Sequence, residues 1–393
     1  MEFEFSKDEE LWQWAVKDFA ERELGTQELA TLDHIPRDIL KKMGDLGFFS
    51  LRVPEEYGGN PATWVMIGML AEEIAKTSIA IAHAIMVSYE VSLPLATYGT
   101  DRAKDEWLSG LTKGNKLGCI ALTEAGGGSD VNETRTIAIR DQDGYLIRGE
   151  KMPVSFGTQG DVGLLFAKTN PDIGIGGLTA LLVPLGLPGI RKSEIKTMGL
   201  FPSAPCSFTF DGVRVPAEYR IGKEGEGFPI HAGMGLFSDF NQIISGLIAL
   251  GAAQTAMKLA VSYSKERVAF GRPIVKFEAI SEKIAENATL IEAARWLCYR
   301  ALALKDRGGS NRKEAAMCGW WCPKVAYQAI KDSLLIHGHA GYCDDHPFQQ
   351  MLRDIVAFEM ISGTENILKL IVSHKTIGLV AVPDSVSDHF GYC

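Results

Sequence analysis

The hydrophobic pattern of this chain changes period twice along its length, and that order constrains the fold more than any single motif. Up to about residue 118, apolar residues recur at helical spacing. Ser6-Lys7-Asp8-Glu9 has the form of a capping box, in which a hydroxyl and a carboxylate each satisfy an N–H group at a helix start. Leu11, Ala15 and Phe19 follow as an apolar stripe, with Gly25 as a stop. Met66, Leu70 and Ile74 form a second stripe, with Glu72, Glu73 and Lys76 turned elsewhere. Residues 80–98 predict a strongly apolar helix interrupted by Glu90. The period shortens near Cys119. Ile137 and Ile139 alternate with Thr136, Ala138 and Arg140, and a turn at Asp141-Gln142-Asp143-Gly144 leads into Tyr145-Leu146-Ile147, which is hairpin chemistry. Residues 162–167, 178–183 and 207–210 predict further strands, punctuated by Gly and Pro. From about Gly227 helical spacing returns through Leu247, Leu250, Met257 and Val261, ending near Gly271-Arg272-Pro273. Helices are then predicted over 275–305, 311–337 and 347–377, and 382–393 shows no pattern. The order helical, strand-rich, helical predicts an α+β fold of three packed units, residues 1–118, 119–226 and 227–393, with a ligand at their junction.

The 393 residues, 46% hydrophobic, suffice for a large core. A net charge of −9 argues against a nucleic-acid binder. The acidic start Met1-Glu2-Phe3-Glu4-Phe5 carries no secretory signal, and no uninterrupted apolar stretch reads as long enough to span a bilayer, so no membrane role is expected. The cysteines at 119, 206, 298, 318, 322, 343 and 393 are odd in number and match no zinc or redox spacing. Cys318 and Cys322 share a helical face and read as small buried hydrophobes; no metal is expected. A reducing compartment, the cytoplasm, fits this usage.

Five segments carry chemistry. Leu122-Thr123-Glu124-Ala125-Gly126-Gly127-Gly128-Ser129-Asp130 has three glycines that let a loop pass close to a ligand and expose N–H groups to it. Gly149-Glu150-Lys151-Met152-Pro153-Val154-Ser155 follows on a strand. Lys265-Glu266-Arg267-Val268-Ala269-Phe270-Gly271-Arg272-Pro273 presents a guanidinium suited to phosphate oxygens. Ile336-His337-Gly338-His339-Ala340-Gly341-Tyr342 is again glycine-rich, and its two histidines read as packing groups or as neighbours of a bound cofactor, not metal ligands. Last come Met351-Leu352-Arg353-Asp354 and Ile361-Ser362-Gly363-Thr364-Glu365-Asn366-Ile367.

In this order the segments resemble the acyl-CoA dehydrogenase family over nearly the whole chain: its TEPGAGSD, GEKxWIT, RxxFGxP, QxxGGxG and YEGTxxI motifs. The resemblance implies an N-terminal α-helical domain, a middle β-barrel or sandwich domain and a C-terminal four-helix bundle. It implies FAD as cofactor. FAD contacts would come from Leu122, Thr123, Gly128 and Ser129 of the first motif, and from Met152, Val154 and Ser155 of the second. Arg267 and Phe270 of the third would reach the FAD of a neighbouring subunit, which implies a homodimer or homotetramer. Leu335, Gly338 and Gly341 of the fourth and Thr364 and Glu365 of the fifth complete the set. Pro153 replaces the family's Trp beside the flavin, and Leu335 its Gln. A narrower resemblance, through Phe166-Ala167-Lys168-Thr169-Asn170-Pro171-Asp172 and Ser362-Gly363-Thr364, is to carrier-protein-linked members such as prolyl-carrier-protein dehydrogenases.

The implied activity is α,β-dehydrogenation of an acyl thioester, with hydride transfer to flavin N5 after a base removes the α-proton. The family's base is a glutamate at one of two positions. Here these are Ser362 and Asn241, the latter 26 residues before Arg267, and neither can act as a base. Three explanations stand. A carboxylate has moved, with Glu90 the candidate because its helix corresponds to one lining the acyl pocket and burial would raise its pKa; the alternative is an ion-paired or partly exposed glutamate. Asp239 points to another face than Asn241. The second explanation is a substrate that needs no strong base. The third is oxygen chemistry, for which Pro153 would leave room. Ser129, Glu90, Asn241 and Gln242 are the expected substrate contacts. Gln242 stands where the family has a CoA-contacting arginine, which leaves CoA and carrier-protein thioesters both open. An electron-transfer flavoprotein or O2 would take the electrons. The alternatives to dehydrogenation are a flavin-dependent oxygenase or oxidase of a biosynthetic thioester, and a non-catalytic flavoprotein.

Overall fold

The structure, a computed structural model, describes residues 4–25, 29–233 and 238–378. The patternless stretch 382–393 lies outside the described residues. Five helices come first: α1 (Lys7–Phe19), α2 (Arg37–Asp45), α3 (Trp64–Ala75), α4 (Ile79–Tyr98) and α5 (Asp101–Thr112). The capping box forms, with the Ser6 side chain accepting from the Glu9 N–H and the Glu9 carboxylate accepting from the Ser6 N–H. The predicted stripe on α1 is corrected. Leu11 is 65% exposed, and the buried face runs through Trp12, Val16 and Phe19 because the Trp12 indole N–H donates to the Met66 carbonyl on α3.

α3 and α4 are buried on all sides, which follows from side chains that are apolar all round. Glu72 and Glu73, expected to turn away from the packed stripe of α3, are buried too. Glu72 accepts from the Arg295 guanidinium at 2.5 and 3.1 Å, the Gln254 amide at 2.5 Å and the Tyr299 hydroxyl at 2.5 Å. Glu73 accepts from Gln13 and Lys76. The expectation that no apolar segment is long enough to span a bilayer is also corrected. Ile79–Tyr98 and Asp239–Glu266 reach that length and hydropathy, the apolar stretch of the first wholly buried within the protein and that of the second 72% buried.

Eight strands form the middle sheet: β1 (Gly118–Ala121), β2 (Ile137–Asp141), β3 (Gly144–Val154), β4 (Val162–Lys168), β5 (Leu178–Pro184), β6 (Ile190–Glu194), β7 (Cys206–Pro216) and β8 (Arg220–Ile221). Their order is β6-β7-β3-β2-β4-β5-β8, with β1 parallel to β4. The β2–β3 hairpin turns where the sequence predicts, with Asp141 opposite Gly144 and Ile139 opposite Leu146.

The last part is helical: α6 (Ser238–Glu266), a short hairpin of β9 (Val268–Ala269) and β10 (Arg272–Pro273), then α7 (Glu278–Asp306), α8 (Arg312–His337), α9 (His339–Tyr342), α10 (Phe348–Phe358) and α11 (Glu365–Ile377). The single helix predicted over 347–377 is two, because Ser362 (φ 66°) and Gly363 (φ 113°) take left-handed conformations that a right-handed helix does not admit. α6 packs most extensively on α8. At Gly246 the helices close tightly, and a Cβ there would lie 3.1 Å from Cys322 Cβ and 3.2 Å from Cys298 Sγ. Cys298 joins Cys318 and Cys322, so three fully buried sulfurs lie within 4.8 Å of one another. Two aspartates tie the layers together. Asp306 of α7 accepts the Trp64 and Val65 N–H groups at the start of α3, and Asp354 of α10 accepts the Leu200 N–H after β6 at 2.6 Å.

Candidate active site

A cavity of about 440 Å³ opens where α4, α6 and the α10–α11 connection face the strands. α4 supplies His83, Met86, Val87 and Glu90; α6 supplies Asn241 and Gln242; Ser362, Gly363 and Thr364 come from the connection. From the strand side come Leu122, Thr123, Gly128, Ser129, Pro153 and Ser155.

The strand-side wall is braced from behind. Lys151, fully buried, donates to the Leu122 carbonyl at 2.6 Å and pairs with Glu124 at 2.7 Å. Glu124 also accepts the Arg135 and Thr136 N–H groups. Burial pushes the Lys151 ammonium down to about 8, against the opposing pull of Glu124. The first two motifs are thus one unit: Met152 donates its N–H to the Thr123 carbonyl, and the loop is fixed with the N–H groups of Gly128 and Ser129 free of partners among the described residues. Adjacent free N–H groups at the rim of a cavity suit the oxygens of an anionic or carbonyl-bearing ligand.

The helical wall is different. Glu90 is 5% exposed and has no hydrogen-bond or ionic partner among the described residues, so burial alone pushes its carboxyl up to about 8. The ion-paired or exposed alternative for Glu90 does not hold here. Pro94 lies one turn further along α4 and has no N–H to give the Glu90 carbonyl. His83 lies two helical turns before Glu90 on the same wall, tilted against Phe156 and edge-on to Phe358, and burial lowers its imidazole to about 4, which keeps it neutral. Asn241 Oδ1 and Ser362 Oγ are buried without hydrogen bonds. Asp239 is not in the cavity; its carboxylate pairs with Arg312 at 2.8 Å.

Of the residues the resemblance implies for FAD, Leu122, Thr123, Gly128, Ser129, Ser155 and Thr364 meet in this cavity. Met152, Val154, Arg267, Phe270, Leu335, Gly338, Gly341 and Glu365 do not line it. Phe270 is 97% exposed at the tip of the β9–β10 hairpin beside exposed Arg267, and Leu335 is 55% exposed. Glu365 is engaged by Lys324 and Lys369. His337 is stacked on Tyr263 at 4.3 Å. His83 was missed in the sequence; a single histidine at the spacing of two turns before Glu90 in an otherwise apolar helix is the signal that would have found it.

Comparison with known proteins agrees with this geometry. Residues 6–115 match the family "Acyl-CoA dehydrogenase, N-terminal domain", 119–213 its middle domain and 238–377 its C-terminal domain. An acyl-CoA dehydrogenase of Bacillus subtilis (strain 168) is 37% identical over 92% of this chain and 96% of its own. The structure of butyryl-CoA dehydrogenase from Megasphaera elsdenii superposes with a TM-score of 0.91 at 30% identity, covering 96% of this chain and 100% of the other. The prolyl acyl carrier protein oxidase AnaB superposes at 0.89 with 25% identity, covering 96% and 100%. The three matched domains, the braced glycine loop and the cavity they share make this chain a member of the acyl-CoA dehydrogenase family, FAD-dependent oxidoreductases of acyl thioesters.

Proposed function

We propose that this enzyme desaturates an acyl thioester held in the α4–α6–α11 cavity, with Glu90 as the base that removes the α-proton. The observation that carries this is that Glu90 is the single carboxylate among the described residues lining the cavity, buried and without a competing partner. A carboxylate with a pKa near 8 is a better proton acceptor at neutral pH than an ordinary one, at the cost of being ionised in a smaller fraction. Neutral His83 leaves that proton with Glu90. Bound FAD supplies the acceptor for the hydride. The Gly128–Ser129 N–H groups, Thr123, Ser155 and Thr364 would hold it inside the protomer, and Arg267 and Phe270 would hold the FAD of a neighbouring protomer, so a homodimer or homotetramer is the working unit. Ser129, Asn241 and Gln242 would contact the substrate.

Absence of the family's arginine at Gln242 supports a carrier-protein thioester alongside CoA, and the likeness to a prolyl acyl carrier protein oxidase supports the same reading, with O2 as well as an electron-transfer flavoprotein as electron acceptor. We place the enzyme in the cytoplasm. Anaerobic mixing of the yellow protein with a panel of acyl-CoA and acyl-carrier-protein thioesters, followed by mass spectrometry, tests this. Bleaching with loss of two mass units from the acyl group is expected. Product that forms only with a reductant and O2 would replace dehydrogenation by oxygenation. A protein that no thioester bleaches would be a binding subunit.

A further inference from the structure

The two walls of the cavity offer opposite kinds of hydrogen bond. On the strand side, Gly128 and Ser129 present free N–H donors. On the helical side, Glu90, His83 Nδ1, Asn241 Oδ1 and Ser362 Oγ carry no hydrogen bond among the described residues. Asn241 Oδ1 only accepts; the Ser362 hydroxyl and a neutral imidazole each keep lone pairs to offer. His83 Nδ1, Asn241 Oδ1 and Ser362 Oγ are closed off from bulk water, while the Glu90 carboxylate opens on the cavity. None of the four belongs to the set that would contact FAD.

Buried polar groups in native proteins find partners, and three orphans on one wall call for a ligand that supplies them. A hydrocarbon acyl chain would leave all three unpaired. We propose that the acyl group taken by this enzyme carries its own hydrogen-bond donor, an amine N–H or a hydroxyl close to the thioester, read by Asn241, Ser362 and His83. The inference rests on the reading that this cavity receives an acyl thioester. It also accounts for the neutral groups at Ser362 and Asn241. A second carboxylate at either position would share the cavity with Glu90, whereas an amide and a hydroxyl accept from the substrate without adding charge. A site built to bond a polar substituent rejects the analogue that lacks it far more strongly than an apolar pocket rejects a change of one methylene.

The test uses the FAD-loaded protein and pairs of pantetheine thioesters, pantetheine being the arm shared by CoA and carrier proteins. One pair exchanges a ring N–H for CH2, pyrrolidine-2-carbonyl against cyclopentanecarbonyl. The other exchanges a hydroxyl for a methyl, 2-hydroxybutanoyl against 2-methylbutanoyl. Anaerobic bleaching gives kcat/KM, and calorimetric titration of the Glu90→Gln protein gives affinity apart from turnover. At least a tenfold advantage is expected for one or both polar members in affinity and in kcat/KM. Asn241→Leu and Ser362→Ala should each shrink that ratio while the flavin spectrum stays unchanged. Hydrocarbon members that bind and react as well as the polar ones would overturn the inference and leave dehydrogenation standing. Tighter binding of polar members with no bleaching by any thioester would sink dehydrogenation and leave the inference standing. Failure of every member to bind would overturn both.

Discussion

Glu72 and Glu90 lie on adjacent helices, are both buried, and have opposite surroundings. Glu72 sits where α3 meets the last helices and is wrapped by Arg295, Gln254 and Tyr299. Burial by itself would raise its pKa, but the Arg295 bonds, with Lys76 and Tyr299, outweigh that and hold it below the ordinary value. Glu90 meets only the burial, and its carboxyl rises to about 8. A buried charge with several partners marks a seam. A buried carboxyl with none, on the wall of a cavity, marks a place kept for something else.

Glu90→Gln should have the largest effect. The anaerobic bleaching rate is expected to fall about 10²–10⁴-fold, with FAD content and thermal midpoint retained; an unchanged rate would strip Glu90 of its role. Glu72→Ala should do the reverse. Removing it leaves the half-buried Arg295 with only the exposed Glu292, and the Tyr299 and Gln254 donors without their acceptor, which costs about 3–5 kcal/mol in denaturant unfolding, while the rate per folded, FAD-loaded molecule survives. A catalytic collapse at full stability would erase the distinction between the two glutamates. Ser362→Glu on the Glu90→Gln background places a carboxylate at one of the family's base positions. A recovery of about tenfold is expected, limited by the left-handed backbone at Ser362. No recovery would mean that the cavity holds its substrate at another angle.

The smallest effects are in pH dependence, and there the two residues should differ in sign. The log of kcat/KM should climb towards a plateau with an apparent pKa of about 8 from Glu90, a limb that Glu90→Gln removes. His83 and His231 share the cavity and are neutral over this range, since burial takes both down to about 4. For stability, the folded state keeps the Glu90 proton that the unfolded chain releases above pH 4.5. Its contribution is complete below that pH and is lost as pH rises to about 8. Glu72 is depressed, so its contribution is present above the unfolded pKa and is lost in acid. Unfolding curves of the two variants across pH should therefore tilt in opposite directions relative to the parent. Matching tilts would mean that Glu90 has a partner in solution.

What was legible in the sequence was what neighbours in the chain decide. The capping box at Ser6, the β2–β3 turn and the glycine loop at 126–128 each depend on a few adjacent residues. The face of α1 was not legible, because Leu11-Ala15-Phe19 and Trp12-Val16-Phe19 are both apolar and helical in spacing, and only the Met66 carbonyl chooses between them. Nor was the burial of Glu72, whose guanidinium partner is more than two hundred positions away. The break at Ser362 was hidden by apolar residues that keep helical period on both sides of it. In the candidate site, Glu90 stood out because a charge in an apolar helix needs a reason, while His83 passed for core. The buried tie between Lys151 and Glu124 joins two motifs that the sequence shows only as separate segments.

The three sulfurs beneath Gly246 have a practical consequence for handling the chain. Cys298 and Cys322 lie 3.5 Å apart, in contact but well beyond the roughly 2.0 Å of a covalent S–S bond. The space they fill has no allowance for a bulkier group, since even a Cβ added at Gly246 would lie 3.2 Å from Cys298 Sγ and 3.1 Å from Cys322 Cβ. Chain synthesised or renatured in the presence of an alkylating agent or peroxide should therefore stall before the last helices can close, whereas the finished fold, with these thiols sealed inside, should tolerate the same reagents.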